Sequence, residues 1–123
     1  MPPEIYIGTD IVTVSRIRDL ITTHPERFIQ RTYTDQEQFY CVGKADPVIH
    51  YAGRFAAKEA IKKAFLSSKI ISNIPLHSIE IFNEEGGNPL VNIHSNSIGL
   101  STCKVSISHT EEFAIAFAFL TLS

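Results

Sequence analysis

Glu59 is a lone acid in a basic stretch, a setting that suits a carboxylate working beside an anion. From Arg54 to Lys69 it faces five basic residues, Arg54, Lys58, Lys62, Lys63 and Lys69. Glu59 and Lys63 stand four apart in the order that favours pairing, whereas Lys58 and Lys62 are like charges at the same spacing. A solvated helix face is the ordinary outcome for such a run, and the ordinary outcome for Glu59 with Lys63 is a surface ion pair. The chemical reading is a carboxylate among cations that await an anion. Asp10 is a second unusual acid, set in a strand-like run rich in β-branched residues, where Asp is disfavoured. The plain reading of Asp10 is a strand-end residue that caps the next turn. The chemical reading is magnesium, which takes one or two protein carboxylates and completes its shell with phosphate oxygens and water. Two carboxylates brought together repel unless a cation lies between them. Positions 10 and 59 lie far apart in the chain, and spacing alone does not bring them together. His109 follows an extended run and precedes Thr110, where a structural histidine is the usual case.

Those side chains need elements to hold them. Residues 4–12 read as a first strand, with Gly8 marking a close backbone approach or a bulge. A helix is expected from about Thr13, with Val14, Ile17, Leu20 and Ile21 along one side and Arg16 and Arg18 turned away. His24-Pro25-Glu26-Arg27 begins a short second helix, with Pro25 in its first turn. Thr34 to Glu37 has capping-box spacing and begins a third helix reaching about Val42. Asp46-Pro47 then opens a long helix to about Leu66. In that helix Ala56, Ala57, Ala60, Ile61, Ala64 and Phe65 form a buried arc. Lys58, Glu59, Lys62 and Lys63 fall on the opposite arc. Gly53 in its interior predicts something close-packed or functional against it.

The second half reads as strands. Residues 79–82 and 89–93 make a hairpin about the Gly86-Gly87 turn. Residues 96–100 read as a short helix, and residues 103–108 as a strand. The last strand, 113–122, carries Phe113, Ile115, Phe117 and Phe119 on one face and Ala114, Ala116, Ala118 and Leu120 on the other. A strand apolar on both faces must be covered on both, and a partner subunit is the natural second cover. The fold class expected is α+β, an antiparallel sheet of hairpins with a long helix packed on it.

With 123 residues the chain has material for one domain, 1–123, and one core. A formal charge of −2 excludes a globally basic nucleic-acid binder. Cys41 and Cys103 show no metal or C-x-x-C spacing and read as reduced thiols in a cytoplasmic protein. The N-terminus lacks the pattern of a signal peptide, and no apolar run approaches a membrane span.

Three segments together carry a family likeness: GTDI at residues 8–11, RFAAKEA at 54–60 and SISH at 106–109. In this order and spacing the chain resembles holo-acyl-carrier-protein synthase, a 4'-phosphopantetheinyl transferase, from about Ile5 to Phe119. The resemblance implies transfer of the 4'-phosphopantetheine group from coenzyme A to a serine of apo acyl carrier protein, in fatty acid biosynthesis, with release of 3',5'-ADP. It implies Mg2+ held by Asp10 and Glu59, with Glu59, Lys63 and Asp10 as catalytic residues. It implies coenzyme A contacts from Arg54, Lys62, Lys63, Gly87, Pro89, Ser108, His109 and Thr110. Acidic carrier proteins would dock on the first two helices, where Arg16 and Arg27 match the family positions. The family's cyclic trimers imply a homotrimer whose sites each join two subunits. Thr13 departs from the family, standing where an acid is usual, and Asn88 stands where Lys or Arg is common; Lys104 or another cation would have to compensate for the second.

Two other classes compete. A catalytically silent trimer that binds coenzyme A or a carrier would have no need of both Asp10 and Glu59. A single-strand nucleic-acid binder using the lysines of the long helix lacks aromatics beside them.

Overall fold

The structure, a computed structural model, describes residues 4–94 and 99–122. Strand β1 (Ile5–Thr13) leads into helices α1 (Val14–Thr23), α2 (Pro25–Thr32), α3 (Asp35–Val42) and α4 (Pro47–Ser67). A 3-10 turn at Leu76–Ser78 precedes β2 (Ile79–Asn83), β3 (Pro89–Ile93), β4 (Leu100–His109) and β5 (Phe113–Leu122). Local chemistry sets the helix starts as expected. Thr13 caps α1 by accepting from the Arg16 N–H at 3.3 Å. Thr34 and Glu37 form a complete capping box on α3, and Asp46 accepts from the Val48 N–H at 3.2 Å with Pro47 in the first turn of α4.

All strand pairing is antiparallel, but the strands fall into two sheets rather than one series of hairpins. One sheet has the order β1-β5-β4, and β2-β3 stands as a separate hairpin. The first strand of the chain pairs with the last, Gly8 opposite Ala118 and Asp10 opposite Ala116. The helix expected over residues 96–100 falls on residues outside those described, except Gly99 and Leu100, where β4 begins.

Helix α4 covers one face of the three-stranded sheet. Ala114, Ala116, Ala118 and Leu120 of β5 are buried beneath it with Val12 of β1. Both expected close approaches are present. A Cβ on Gly8 would sit 2.0 Å from the Ala60 carbonyl oxygen and 2.8 Å from the Ala64 nitrogen. A Cβ on Gly53 would lie 3.2 Å from Cγ2 of Ile107. The helix therefore crosses from β4 at Gly53 to β1 at Gly8, its backbone resting almost on the strand. The opposite face of the same sheet is apolar and open in the single chain, with Ile5, Ile7, Ile11, Phe113, Ile115 and Phe117 exposed.

One expected arc is corrected. Lys58 does not face solvent with Glu59, Lys62 and Lys63; it is fully buried. Its ammonium donates to the Glu37 carboxylate, which is itself fully buried. Burial pulls the Lys58 pKa below its ordinary value, and Glu37 opposes that shift. The cause is coverage: α3 and β2 pack on this side of α4, so the polar arc is closed over at Lys58 and open only further round. Glu37 also accepts from the backbone N–H of Thr34 at 2.9 Å and of Ile81 at 3.0 Å. One carboxylate thus ties α3, α4 and β2 together, and removing one partner of such a buried pair costs roughly 3–5 kcal/mol. Burial pushes both cysteine thiols up to about 12, which keeps them unreactive.

The contact at Gly8 makes a prediction. Gly8→Ala must displace backbone, since no flexible side chain is there to yield. Equilibrium denaturation should show a loss of about 3 kcal/mol, at the upper end of ordinary overpacking. An unchanged midpoint would mean that α4 does not sit on β1 at this height.

Candidate active site

The close approach at Gly8 places Asp10 beside the C-terminal half of α4. Gly8, Asp10 and Val12 share the strand face turned toward the helix. The Asp10 side chain is 15% exposed, and Lys63 Nζ lies 2.9 Å from its Oδ1 and 3.0 Å from the Thr9 carbonyl oxygen. Lys63 thus pairs with Asp10 across the chain instead of with Glu59 along the helix. Glu59 lies one turn earlier on the same flank of α4, where side chains four apart are neighbours. It is half-buried and has no hydrogen bond or ion pair among the described residues. Lys62, next to Lys63, is half-buried and likewise unpaired among them. The sequence left Asp10 and Glu59 unconnected; the fold pairs Asp10 with Lys63, which stands one turn after Glu59 on the same flank of α4.

This donor set suits a hard divalent cation. Asp10 Oδ2 and both Glu59 oxygens lack protein partners among the described residues. No cluster of three or more His, Cys, Asp or Glu side chains that could cage a metal occurs among those residues. Two carboxylates fit magnesium, which needs only one or two when phosphate oxygens complete its shell. Thr13, in place of a third acid, spends its hydroxyl on capping α1.

A second group gathers on the other flank of α4. A cleft of about 190 Å3 opens between α4, the β2–β3 turn and the end of β4, bordered by His50, Arg54, Asn83, Gly87, Pro89 and His109. Arg54 is 4% exposed. Its guanidinium lies 3.8 Å over the Tyr40 ring, and Nη2 donates to Asn83 Oδ1 at 2.6 Å. Its Nε has no hydrogen-bond partner among the described residues. His50 and His109 meet edge to face at 6.1 Å. Burial first, then the nearby Lys44, His109 and Arg54, lowers the His50 pKa. Positive charge in the cleft at neutral pH therefore comes from Arg54 and not from His50.

Three sequence candidates lie elsewhere. Ser108 is exposed on the opposite face of β4 from Ile107 and His109, beside Ile115 on the open apolar sheet. Lys104 shares that outward face, opposite Phe119, so within one chain it does not offset Asn88 in the cleft. The Asn88 side chain donates to Glu84 Oε1 at 3.0 Å. Thr110 Oγ1 accepts from the backbone N–H groups of Glu112 and Phe113, so its hydroxyl is used in the β4–β5 turn.

The two groups do not meet within one chain. At 3.6 residues per turn, Glu59 and Lys63 point about 140° and about 180° around α4 from Arg54. The carboxylates and the cleft therefore occupy opposite flanks of one helix.

The arginines of α1 and α2 form a third feature. Arg16 is exposed, with its guanidinium 5.6 Å above the Phe55 ring. Arg18 pairs with Asp46 at 3.7 Å on the surface, an ordinary solvated contact. Leu20 and Phe28 line a groove of about 290 Å3 between these helices, with Arg27 and Arg31 along it. The sequence offered Arg31 with Arg16, Arg18 and Arg27 as the cationic surface of these helices; the parts of Asn83, Tyr40 and His50 in the cleft were not apparent from it. Asn83 carried one available signal, an Asn at a strand end just before a Gly-Gly turn.

A family model described as the 4'-phosphopantetheinyl transferase superfamily matches residues 6–118. A protein of Chlamydia pneumoniae named holo-[acyl-carrier-protein] synthase is 46% identical over 93% of this chain and 94% of that one. The solved holo-(acyl-carrier-protein) synthase from Bacillus anthracis str. Ames, in complex with CoA (3',5'-ADP), superposes with a TM-score of 0.79 at 32% identity over 96% of each chain. That of Helicobacter pylori, in complex with coenzyme A, superposes with a TM-score of 0.81 at 30% identity over 94% of this chain and 99% of that one. The chain belongs to the 4'-phosphopantetheinyl transferase superfamily.

Proposed function

We propose that this protein transfers the 4'-phosphopantetheine group of coenzyme A to a serine hydroxyl of an apo acyl carrier protein, as a cytoplasmic step that serves fatty acid biosynthesis. The observation that carries this reading is the Asp10–Lys63 pair between β1 and α4, with Glu59 unpaired among the described residues one turn before Lys63. A catalytically silent binding trimer would have no use for both Asp10 and a Glu59 left unpaired one turn before Lys63. The lysines of α4 do not form one exposed stripe for nucleic acid either, since Lys58 is buried and Lys63 is held by Asp10. The whole chain, 1–123, acts in this reading as one transferase domain.

In the reaction the serine oxygen bonds to the β-phosphorus of coenzyme A. The bond from that phosphorus to the bridging oxygen breaks, and 3',5'-ADP leaves with the electron pair. Glu59, whose carboxylate has no protein donor, accepts the serine proton directly or through a water. Asp10 and Glu59 would hold Mg2+, which when bound neutralises charge on the diphosphate and aligns it with the nucleophile. Lys63 has a half-exposed side chain, so its ammonium can turn from Asp10 to a phosphate oxygen, with Lys62 beside it. Gly87, Pro89 and His109 receive the nucleotide end in the cleft, and Arg54 supplies positive charge behind it; Ser108 and Thr110 flank His109 in the chain and would take part through the backbone or the outer face of β4.

One coenzyme A cannot easily use both flanks of α4 in one chain. We therefore assign each site to two subunits of a homotrimer, with Asp10, Glu59 and Lys63 from one and Gly87, Pro89, Ser108 and His109 from the next. The open apolar face of β1-β5-β4 supplies a surface for that assembly. A head-to-tail ring of three uses each surface once and closes.

The test is the mass of an apo acyl carrier protein after incubation with this protein, coenzyme A and magnesium, which should rise by one phosphopantetheine group. Asp10→Ala and Glu59→Ala should each slow that transfer at least about 100-fold, roughly 2.7 kcal/mol of transition-state stabilisation. EDTA should abolish it and added magnesium restore it. Full activity in EDTA, or in both variants, would remove the metal role.

The arginines make a separate prediction. Arg16→Glu and Arg27→Glu should raise the KM for the carrier and leave that for coenzyme A nearly unchanged. Added salt should do the same to the unaltered protein, because exposed charges steer partners and are screened. A salt-independent carrier KM would mean that these arginines only solvate their helices.

A further inference from the structure

At its two glycines the turn that borders the cleft faces open space. A Cβ built on Gly86 or on Gly87 meets no atom within 4 Å. Gly87 holds φ at +89°, a conformation suited to glycine. Inside the turn the Gly87 N–H donates to the Glu84 carbonyl at 2.8 Å, and the Glu84 N–H to that of Asn88 at 3.1 Å. Those bonds shape the loop but do not anchor it to the body of the protein. The anchor is a side chain: Asn83 Nδ2 donates to the Gly87 carbonyl oxygen at 2.8 Å. The other end of that carboxamide, Oδ1, accepts from Arg54 Nη2 at 2.6 Å. Arg54 is itself buried on α4 with its guanidinium against the Tyr40 ring.

We infer that Asn83 is a positioning residue, whose carboxamide, gripped by Arg54, holds the Gly87–Pro89 turn at the height needed to receive the nucleotide end of coenzyme A. Arg54 then serves the ligand mainly through Asn83 rather than as a free phosphate contact. The carboxamide suits the task because it accepts from the guanidinium at one end and donates to a carbonyl at the other. An aspartate in its place would keep the first bond and lose the second. The inference rests on the transfer reading above, and the two are separable by experiment.

The experiment compares Asn83→Ala and Asn83→Asp with the unaltered protein, varying coenzyme A and carrier in turn, and titrates 3',5'-ADP by calorimetry. Both variants should raise the KM for coenzyme A and weaken 3',5'-ADP binding about tenfold, the worth of one good hydrogen bond, while kcat and the carrier KM stay within about twofold. Asn83 is half-exposed at a strand end, and melting curves would show both variants folded. A merely structural role would lower kcat and stability together and spare this split. Two results would overturn the inference. One is Asn83→Asp behaving like the unaltered protein, which would mean that Asn83 only satisfies Arg54. The other is an unchanged KM for coenzyme A in both variants while transfer proceeds normally. If the unaltered protein transfers nothing, the transfer reading fails, and the 3',5'-ADP titration still decides whether Asn83 supports the turn.

Discussion

The near-contact of two backbones, β1 at Gly8 and α4 at Ala60 and Ala64, is the constraint on which the arrangement depends. Helices on sheets are usually held apart by side chains. Here glycine meets a helix backbone directly, so the distance is set by peptide atoms that cannot adapt. That closeness lets a side chain as short as Asp10 reach the ammonium of Lys63. A helix resting higher would leave the carboxylate stranded below it. The alanines of α4 and β5 extend the same logic, since their small side chains give a tight, shape-dependent contact with little tolerance for slippage.

Around that seat α4 uses every side differently. One side lies on the sheet through Gly53, Ala60 and Ala64. The next carries Arg54 and Lys58 under α3 and β2. The far flank carries Glu59 and Lys63. The Glu37–Lys58 pair bears on function because Lys58 precedes Glu59. Its burial fixes the rotation of the helix, since any turn about the axis would leave a charge without its partner in a dry site. The rotation that satisfies Lys58 also puts Glu59 on the flank of α4 whose Lys63 pairs with Asp10.

Much of this was legible in the sequence. The capping signals at Thr34 and Asp46 are local, and those two helices began where their caps said, whereas the cap of α1 is Thr13 and not Asp10. The two-faced pattern of β5 was local as well, and its alanine face is buried while much of its aromatic face stands open. What was not legible came from long-range contacts. Helical periodicity put Lys58 with the solvated lysines, because periodicity describes one helix and not what covers it. Glu37 was accounted for as a capping residue, which concealed that its carboxylate also serves Lys58 and Ile81. Lys63 had a plausible partner four residues away and took one on another strand. The pairing of β1 with β5 separated the strands into two sheets, and nothing local to either strand announces it. The candidate site residues came from the family resemblance, which also implied that they divide between two subunits; that the two groups lie on opposite flanks of α4 is visible only in three dimensions.

That division is the central claim: Glu59 and His109 serve the same substrate from different subunits. Glu59→Ala and His109→Ala would be prepared separately, each shown to be impaired, and then unfolded, mixed and refolded together. In a mixed trimer one interface joins an intact Glu59 to an intact His109. Transfer activity should therefore rise above that of either parent, with at most one restored site per trimer. Mixed trimers that form without any gain in activity would contradict the account, as would a protein that remains a monomer while active.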